Sequence, residues 1–245
     1  MKPKPTATTP KQILIVDDHP MMREGLRGII KGEADLEICG EAENAHQAMQ
    51  LLTTLEPDLV LLDLTLPGKN GLELIKDIKV THPQLPVLVL SMHDESLYAE
   101  RVLRAGAGGY ITKQQRPDAL ISAIRQVLAG RIYVSAEVSE KILKHLSGRP
   151  TTTTSPLEVL TDREFEIFQL IGEGESTAQI AKHLHLSSKT VAVHYANIRR
   201  KLKLDTYSDL IRFAVRLEEA RNLPHQESLQ GVPAKSSQAA PEGLP

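Results

Sequence analysis

The chain has 245 residues, 41% of them apolar, one cysteine, no tryptophan and a formal net charge of −2. A single cysteine, Cys39, excludes an internal disulfide, and no run approaches the roughly 18 apolar residues a membrane-spanning helix needs. The opening "MKPKPTATTPK" carries charge but no apolar segment of a signal peptide, so the expectation is a soluble, cytoplasmic protein with no membrane contact. The length allows one large domain or two smaller ones. Charge is unevenly spread. Residues 11–146 hold 15 Lys+Arg against 19 Asp+Glu, whereas Lys182 to Lys203 hold six Lys/Arg and no acid. That local asymmetry says more than the total.

In chain order, residues 1–10 are Pro/Thr/Lys-rich and expected to be disordered. Short β-forming runs follow at 12–16, 36–41, 59–62, 87–91 and 109–112. Between and after them, 20–31, 44–54, 71–80, 95–105 and 116–129 have helical spacing; Leu72, Ile75 and Ile78 mark one face, Leu120, Ile124 and Val127 another. Five continuous apolar strands alternating with five helices predict an α/β domain, a doubly wound parallel sheet covered on both faces, over 11–130. A linker spans 131–155 with a helix at 135–146. Residues 156–221 read as four helices, an all-α domain. Thr161 with Glu164 and Ser176 with Gln179 form capping boxes, and Ser187 and Thr206 cap the last two helices. The segment 222–245 is expected to be disordered.

Asp63 stands in the apolar stretch "DLVLLDLTLPGKNG", at the end of the third strand, where a buried charge costs several kcal/mol unless it has a task. Asp17 and Asp18 end the first strand. In a sheet of order 2-1-3-4-5 these strands are neighbours, and function gathers at their carboxyl ends. Three carboxylates in one cleft repel one another, and a divalent cation relieves this; oxygen ligands suit Mg²⁺. A carboxylate left over is a nucleophile towards phosphorus. Ser91 ends the fourth strand and Lys113 follows the fifth, a hydroxyl and an ammonium placed to hold phosphoryl oxygens. Singly, each of these is ordinarily a helix cap, a turn former or a solvated lysine. Five at the ends of four strands of one sheet are not explained that way.

The motifs "ILIVDDHP", "DLVLLDLTLPGKNG", "VLVLSMHD" and "GGYITK" resemble the flavodoxin-like receiver domain of two-component response regulators. The resemblance implies that Asp63 is the phosphoacceptor, that Asp18 binds Mg²⁺ directly and Asp17 through water, and that the Thr65 carbonyl completes the protein ligands. Ser91 and Lys113 then hold the phosphoryl group, and Tyr110 is the aromatic that reorients on activation. Pro67 and Gly68 shape the loop that carries Thr65. Thr65 and His93, flanking the site, tune dephosphorylation. Many receivers have proline after the lysine; this chain has Gln114, which leaves the Lys113–Gln114 peptide geometry open.

"LTDREFEIFQLIGEGESTAQIAKHLHLSSKTVAVHYANIRRKLKL" has helix-turn-helix phrasing. On a helix over 187–203, Val191, Tyr195, Ile198 and Leu202 form a core stripe. Lys189, Ala192, Val193, Ala196 and Arg200 form an outward one. Small apolar groups there suit close approach to a groove and its thymine methyls. Thr190, Asn197, Arg199, Arg200 and Lys201 are placed for phosphates, with Ser188 at the helix start. "LTDRE", "IA", "TV", "H", "NI" and "KL" make this segment similar to LuxR-type DNA-binding domains, although Ala192 stands where a lysine is common. Lys189 and Val193 are therefore expected to carry more of the readout. The fourth helix, with Leu210, Ala214 and Leu217, pairs two subunits in that family, which implies a homodimer on a pseudo-palindromic operator.

Together these features resemble the NarL/FixJ-type response regulators. The implied function is transcriptional regulation rather than enzymatic turnover: a histidine kinase phosphorylates Asp63, the receiver uncovers the recognition helix, and dimers bind promoters. The rival phosphohydrolase of the haloacid dehalogenase type calls for a second Asp at position 65, where this chain has a threonine. A receiver that acts without phosphorylation is the other rival, and the complete acidic pocket weighs against it.

Overall fold

The computed structural model describes residues 9–146 and 156–222. Of the expected tails at 1–10 and 222–245, residues 1–8 and 223–245 lie outside the described residues, as does the linker stretch 147–155, while Asn222 ends the last helix. Five parallel strands, β1 (Lys11–Val16), β2 (Leu36–Ala42), β3 (Leu59–Leu62), β4 (Val87–Ser91) and β5 (Gly109–Thr112), form one sheet in the order β2-β1-β3-β4-β5. Its two faces are divided by the strand period of two. Leu14, Val16, Val60, Leu62, Val87, Val89 and Tyr110 pack on one side against α2 (Ala45–Leu51), α3 (Gly71–Thr81) and α4 (Glu95–Arg104). Ile13, Ile15, Leu59, Leu61, Leu88, Leu90 and Ile111 pack on the other against α1 (Pro20–Lys31) and α5 (Pro117–Leu128). Burial on both faces is why β3 and β4 are continuously apolar, whereas edge strand β2, LEICGEA, is half-buried and carries Glu37 and Glu41.

Local chemistry sets the helix ends. Asn44, Asn70 and Asp94 cap α2, α3 and α4 through side-chain oxygens, and proline opens α1 and α5, where its missing N–H is harmless. The second helix, expected to run to 54, stops at Leu51. There the Thr53 and Thr54 hydroxyls donate to the Gln50 and Leu51 carbonyls and turn the chain.

After α6 (Ala136–Leu146) and a 3-10 turn (Pro156–Val159) come α7 (Asp162–Gly172), α8 (Thr177–His183), α9 (Ser188–Leu202) and α10 (Tyr207–Asn222). Both capping boxes form, and Ser187 caps α9. Thr206 exchanges hydrogen bonds with Asp209 at the start of α10. Phe165, Phe168, Ile180, Val191, Tyr195, Ile198, Leu210 and Ala214 are buried together. The turn between α8 and α9 carries His185 at φ 52, a left-handed conformation that costs a non-glycine residue roughly 1 kcal/mol. Among the described residues, no helix is long and apolar enough to cross a membrane.

Candidate functional site

The sheet order makes β1 and β3 neighbours, and their ladder carries on past the strand ends: the Asp63 amide donates to the Val16 carbonyl at 2.8 Å. Asp17 and Asp63 leave adjacent strands side by side. The same continuation joins β4 and β5, where the Lys113 amide donates to the Ser91 carbonyl at 2.8 Å. The four strand ends thus converge. The Lys113 ammonium lies 2.7 Å from Asp63 Oδ2 and 2.8 Å from Asp17 Oδ2, and all three side chains are buried. Ser91 is buried at the end of β4, and its hydroxyl accepts from the His93 amide. Thr65 donates its amide to Asp63 Oδ1 at 3.3 Å, which fixes it beside the carboxylate. Gly68 takes φ 80 in the loop, a conformation open to glycine.

Burial pushes the Asp63 carboxyl up to about 6; Lys113 works against this and the Asp17 charge adds to it. For Lys113, burial opposes the charged form, but Asp63 and Asp17 outweigh it and hold the ammonium above the ordinary lysine value. Ligand atoms of Asp17, Asp18, His19 and Asp63 all lie within 4.8 Å of one another. Asp18 Oδ1 is buried without a hydrogen-bond partner, although His19 Nδ1 approaches to 2.7 Å. An oxygen-rich group with an unsatisfied carboxylate fits a hard divalent cation. His19 was not anticipated; its only sequence signal is that it follows the paired aspartates. Gly71 was missed too. A Cβ there would lie 2.6 Å from the Asp63 carbonyl oxygen and 2.7 Å from Leu64 Cα. Gly71→Ala is therefore expected to push α3 off the Asp63 loop and cost ~1–3 kcal/mol, measured by urea unfolding.

Tyr110 is fully buried, and its hydroxyl donates to the His93 carbonyl at 2.8 Å. Burial holds its pKa above the usual tyrosine value.

On α9 the two stripes separate as expected. Val191, Tyr195 and Ile198 are buried and Leu202 is half-buried, whereas Ser188, Lys189, Thr190, Ala192, Val193, Ala196 and Arg200 are exposed. Val193 is 55% exposed in the middle of that outward stripe. Asn197 accepts from Arg200 at 3.2 Å, on the outer side. Lys201 is placed differently. Its ammonium pairs with Glu164 Oε2 at 2.6 Å, tying α9 to the start of α7 and turning that charge away from the reading face.

The outward stripe of α9 stays exposed in this structure, so the receiver does not cover it. It docks instead on α7 through α4. The reason is apolar continuity: Tyr98 and Val102 of α4 and Leu157 and Phe165 beyond the linker belong to one buried cluster. The polar, positively charged α9 offers no such surface.

Family models match both halves of the chain. The response regulator receiver domain matches residues 13–125, and the bacterial regulatory proteins of the luxR family match residues 158–214. The transcriptional regulatory protein DegU of Brevibacillus brevis is 34% identical over 208 residues, 79% of this chain and 88% of that protein. The nitrate/nitrite response regulator NarL of Escherichia coli K12 is 36% identical over 197 residues, 80% of this chain and 90% of that protein. Among solved structures, RcsB of Salmonella enterica serovar Typhimurium, bound to promoter rprA in the presence of the phosphomimetic BeF₃⁻, is similar at TM-score 0.59 and 27% identity, covering 84% of this chain and 99% of that one. With a receiver sheet followed by a helix-turn-helix domain, and with both halves matched, this chain belongs to the NarL/FixJ family of two-component response regulators, transcriptional regulators that bind DNA.

Proposed function

We propose that this regulator works as a phosphorylation-controlled DNA switch with Asp63 as its phosphoacceptor. The receiver is assigned to 11–130, the linker to 131–155 and the DNA-binding domain to 156–221. The observation that carries the reading is the convergence of Asp17, Asp18, Asp63, Ser91 and Lys113 in a chain that also presents the exposed face of α9.

A sensor histidine kinase is the donor. An Asp63 oxygen attacks phosphorus, the new P–O bond forms as the donor's P–N bond breaks, and the histidine leaves. Asp17, Asp18, Asp63 and the Thr65 carbonyl would hold Mg²⁺, which offsets the negative charge gathered by the transfer. Lys113 binds one phosphoryl oxygen, and the Ser91 hydroxyl donates to another. Tyr110 changes position as Ser91 is drawn in. Thr65 and His93 set access of water to the phosphorus. Apart from accepting the phosphoryl group and losing it again, the protein turns over no substrate.

The DNA-binding domains pair through α10 and present two copies of α9 to a pseudo-palindromic operator. Lys189 and Val193 read bases, Ala192 and Ala196 permit close approach, and Ser188, Thr190, Asn197 and Arg200 position the helix on phosphates. Lys201 reaches a phosphate only by leaving Glu164. Fluorescence anisotropy on operator DNA tests the switch: acetyl phosphate should tighten binding, and log affinity should fall linearly with log salt. DNA affinity indifferent to phosphodonor would remove the switch. Val193→Ala should blunt discrimination between operator and a single-base variant by ~1 kcal/mol while leaving nonspecific affinity unchanged. Unaltered discrimination would take Val193 off the reading face.

A further inference from the structure

The seam between α4 and α7 is built around two residues. Arg101 donates to the Leu157 carbonyl at 2.5 Å, the Leu160 carbonyl at 3.0 Å and Asp162 Oδ1 at 3.3 Å. Its guanidinium carbon also sits 4.2 Å from the centre of the Phe165 ring. Phe165 in turn meets the Tyr98 ring edge-on, centroids 5.0 Å apart at 70°. The contact does not end there. Tyr98 stacks on His93 at 4.6 Å and 22°, and His93 Nε2 lies 3.1 Å from Thr65 Oγ1. Thr65 bonds Asp63, the His93 amide donates to Ser91 Oγ, and the His93 carbonyl accepts from Tyr110. His93 therefore touches Thr65, Ser91 and Tyr110 on one side and the seam on the other.

We infer that His93, Tyr98 and Phe165 form the mechanical linkage by which the Asp63 pocket controls docking of the DNA-binding domain, with Arg101 as the clamp. This rests on the reading of Asp63 as phosphoacceptor. The device acts on the seat of α7 and leaves the reading face of α9 uncovered. Two other ties across the seam are weaker. Lys76 to Asp162 is an ion pair with a half-exposed lysine, and Arg163 reaches the Gly68 carbonyl only at 3.4 Å. The stacked rings and the stacked, multiply bonded guanidinium are desolvated and directional. The Tyr98 hydroxyl is buried without a hydrogen-bond partner. The ring, not the hydroxyl, is thus what the seam uses.

Coupling between two sites is reciprocal. If filling the Asp63 pocket loosens the seam, loosening the seam must strengthen binding at the pocket by the same factor. The test uses the full chain with Mg²⁺ and beryllofluoride, read by calorimetry for affinity and by small-angle scattering for domain separation. Wild type should expand when beryllofluoride binds. Arg101→Ala should be expanded without it and bind it at least about fivefold more tightly, with Arg101→Lys in between. His93→Ala removes the ring that joins Thr65 to Tyr98 but leaves the Arg101–Phe165 clamp, so it should stay closed and bind beryllofluoride without expanding. Tyr98→Phe should behave as wild type. Thermal melting confirms that each variant is folded. Unchanged beryllofluoride affinity in a folded, expanded Arg101→Ala overturns the proposal, as does full expansion of His93→Ala. Failure of the underlying reading looks different: wild type and Asp63→Asn would then respond to beryllofluoride alike.

Discussion

Asp63→Asn is expected to abolish phosphate incorporation from acetyl phosphate while making the metal-free protein more stable at neutral pH. The first effect follows from the loss of the nucleophilic oxygen; labelling that survives would move the acceptor elsewhere. The second follows from the carboxyl held at about 6 by burial. The sign is the reverse of the usual aspartate. Because the folded state holds this proton more tightly than the unfolded chain, stability is highest below pH 4 as far as this group is concerned. It falls as pH rises through the interval from about 4 to about 6. The shift of roughly two units corresponds to ~3 kcal/mol at pH 7. Asparagine never ionises, so the variant should gain ~1–3 kcal/mol in chelator at pH 7 and almost nothing at pH 4. Urea unfolding at the two pH values measures it. Equal stability of wild type and variant at pH 7 would mean that Lys113 already neutralises the pocket fully.

Removing Lys113 should have the opposite and larger effect. Its ammonium is the countercharge to both Asp17 and Asp63, with all three side chains nearly inaccessible to water. Lys113→Ala leaves two buried carboxylates facing one another, which costs ~3–5 kcal/mol when one partner of a buried pair is deleted. The loss should appear in chelator near pH 7 and shrink as pH falls through about 6, where Asp63 takes up a proton. Added Mg²⁺ should restore part of it, since a divalent cation replaces the missing charge in the same cleft. Urea unfolding with chelator and with Mg²⁺ checks both parts. A variant as stable as wild type in chelator would show that the carboxylates are solvated rather than buried. The same residue should be needed for phosphate retention, so a folded Lys113→Ala in Mg²⁺ should still label more weakly than wild type.

Much of this protein was legible before any coordinates. Strand runs such as "LVLL", bounded by Pro57 and Pro67, have a single physical use, burial on both faces of a parallel sheet. Their carboxyl-end residues Asp17, Asp63, Ser91 and Lys113 follow from that use. Capping residues are local, so Thr161, Ser176, Ser187 and Thr206 marked the helix starts. The outward stripe on α9 is a periodic property of one helix and could be read without neighbours. What the residues one by one could not reveal depends on distant partners. His19 joins the acidic group only because β1 and β3 lie side by side. Gly71 matters because α3 starts against the Asp63 backbone. Lys201 reads as a DNA contact until α9 is set beside Glu164. The seat of the DNA-binding domain depends on distant partners in the same way, since nothing local to α7 says what covers it. In the fold, the apolar faces of Tyr98 and Phe165, 67 positions apart, meet because burying rings outweighs screened surface charge. Short-range patterns determined the elements and the ends of the strands; only tertiary packing decided which of those ends meet in one acidic cluster and which helix seats the second domain.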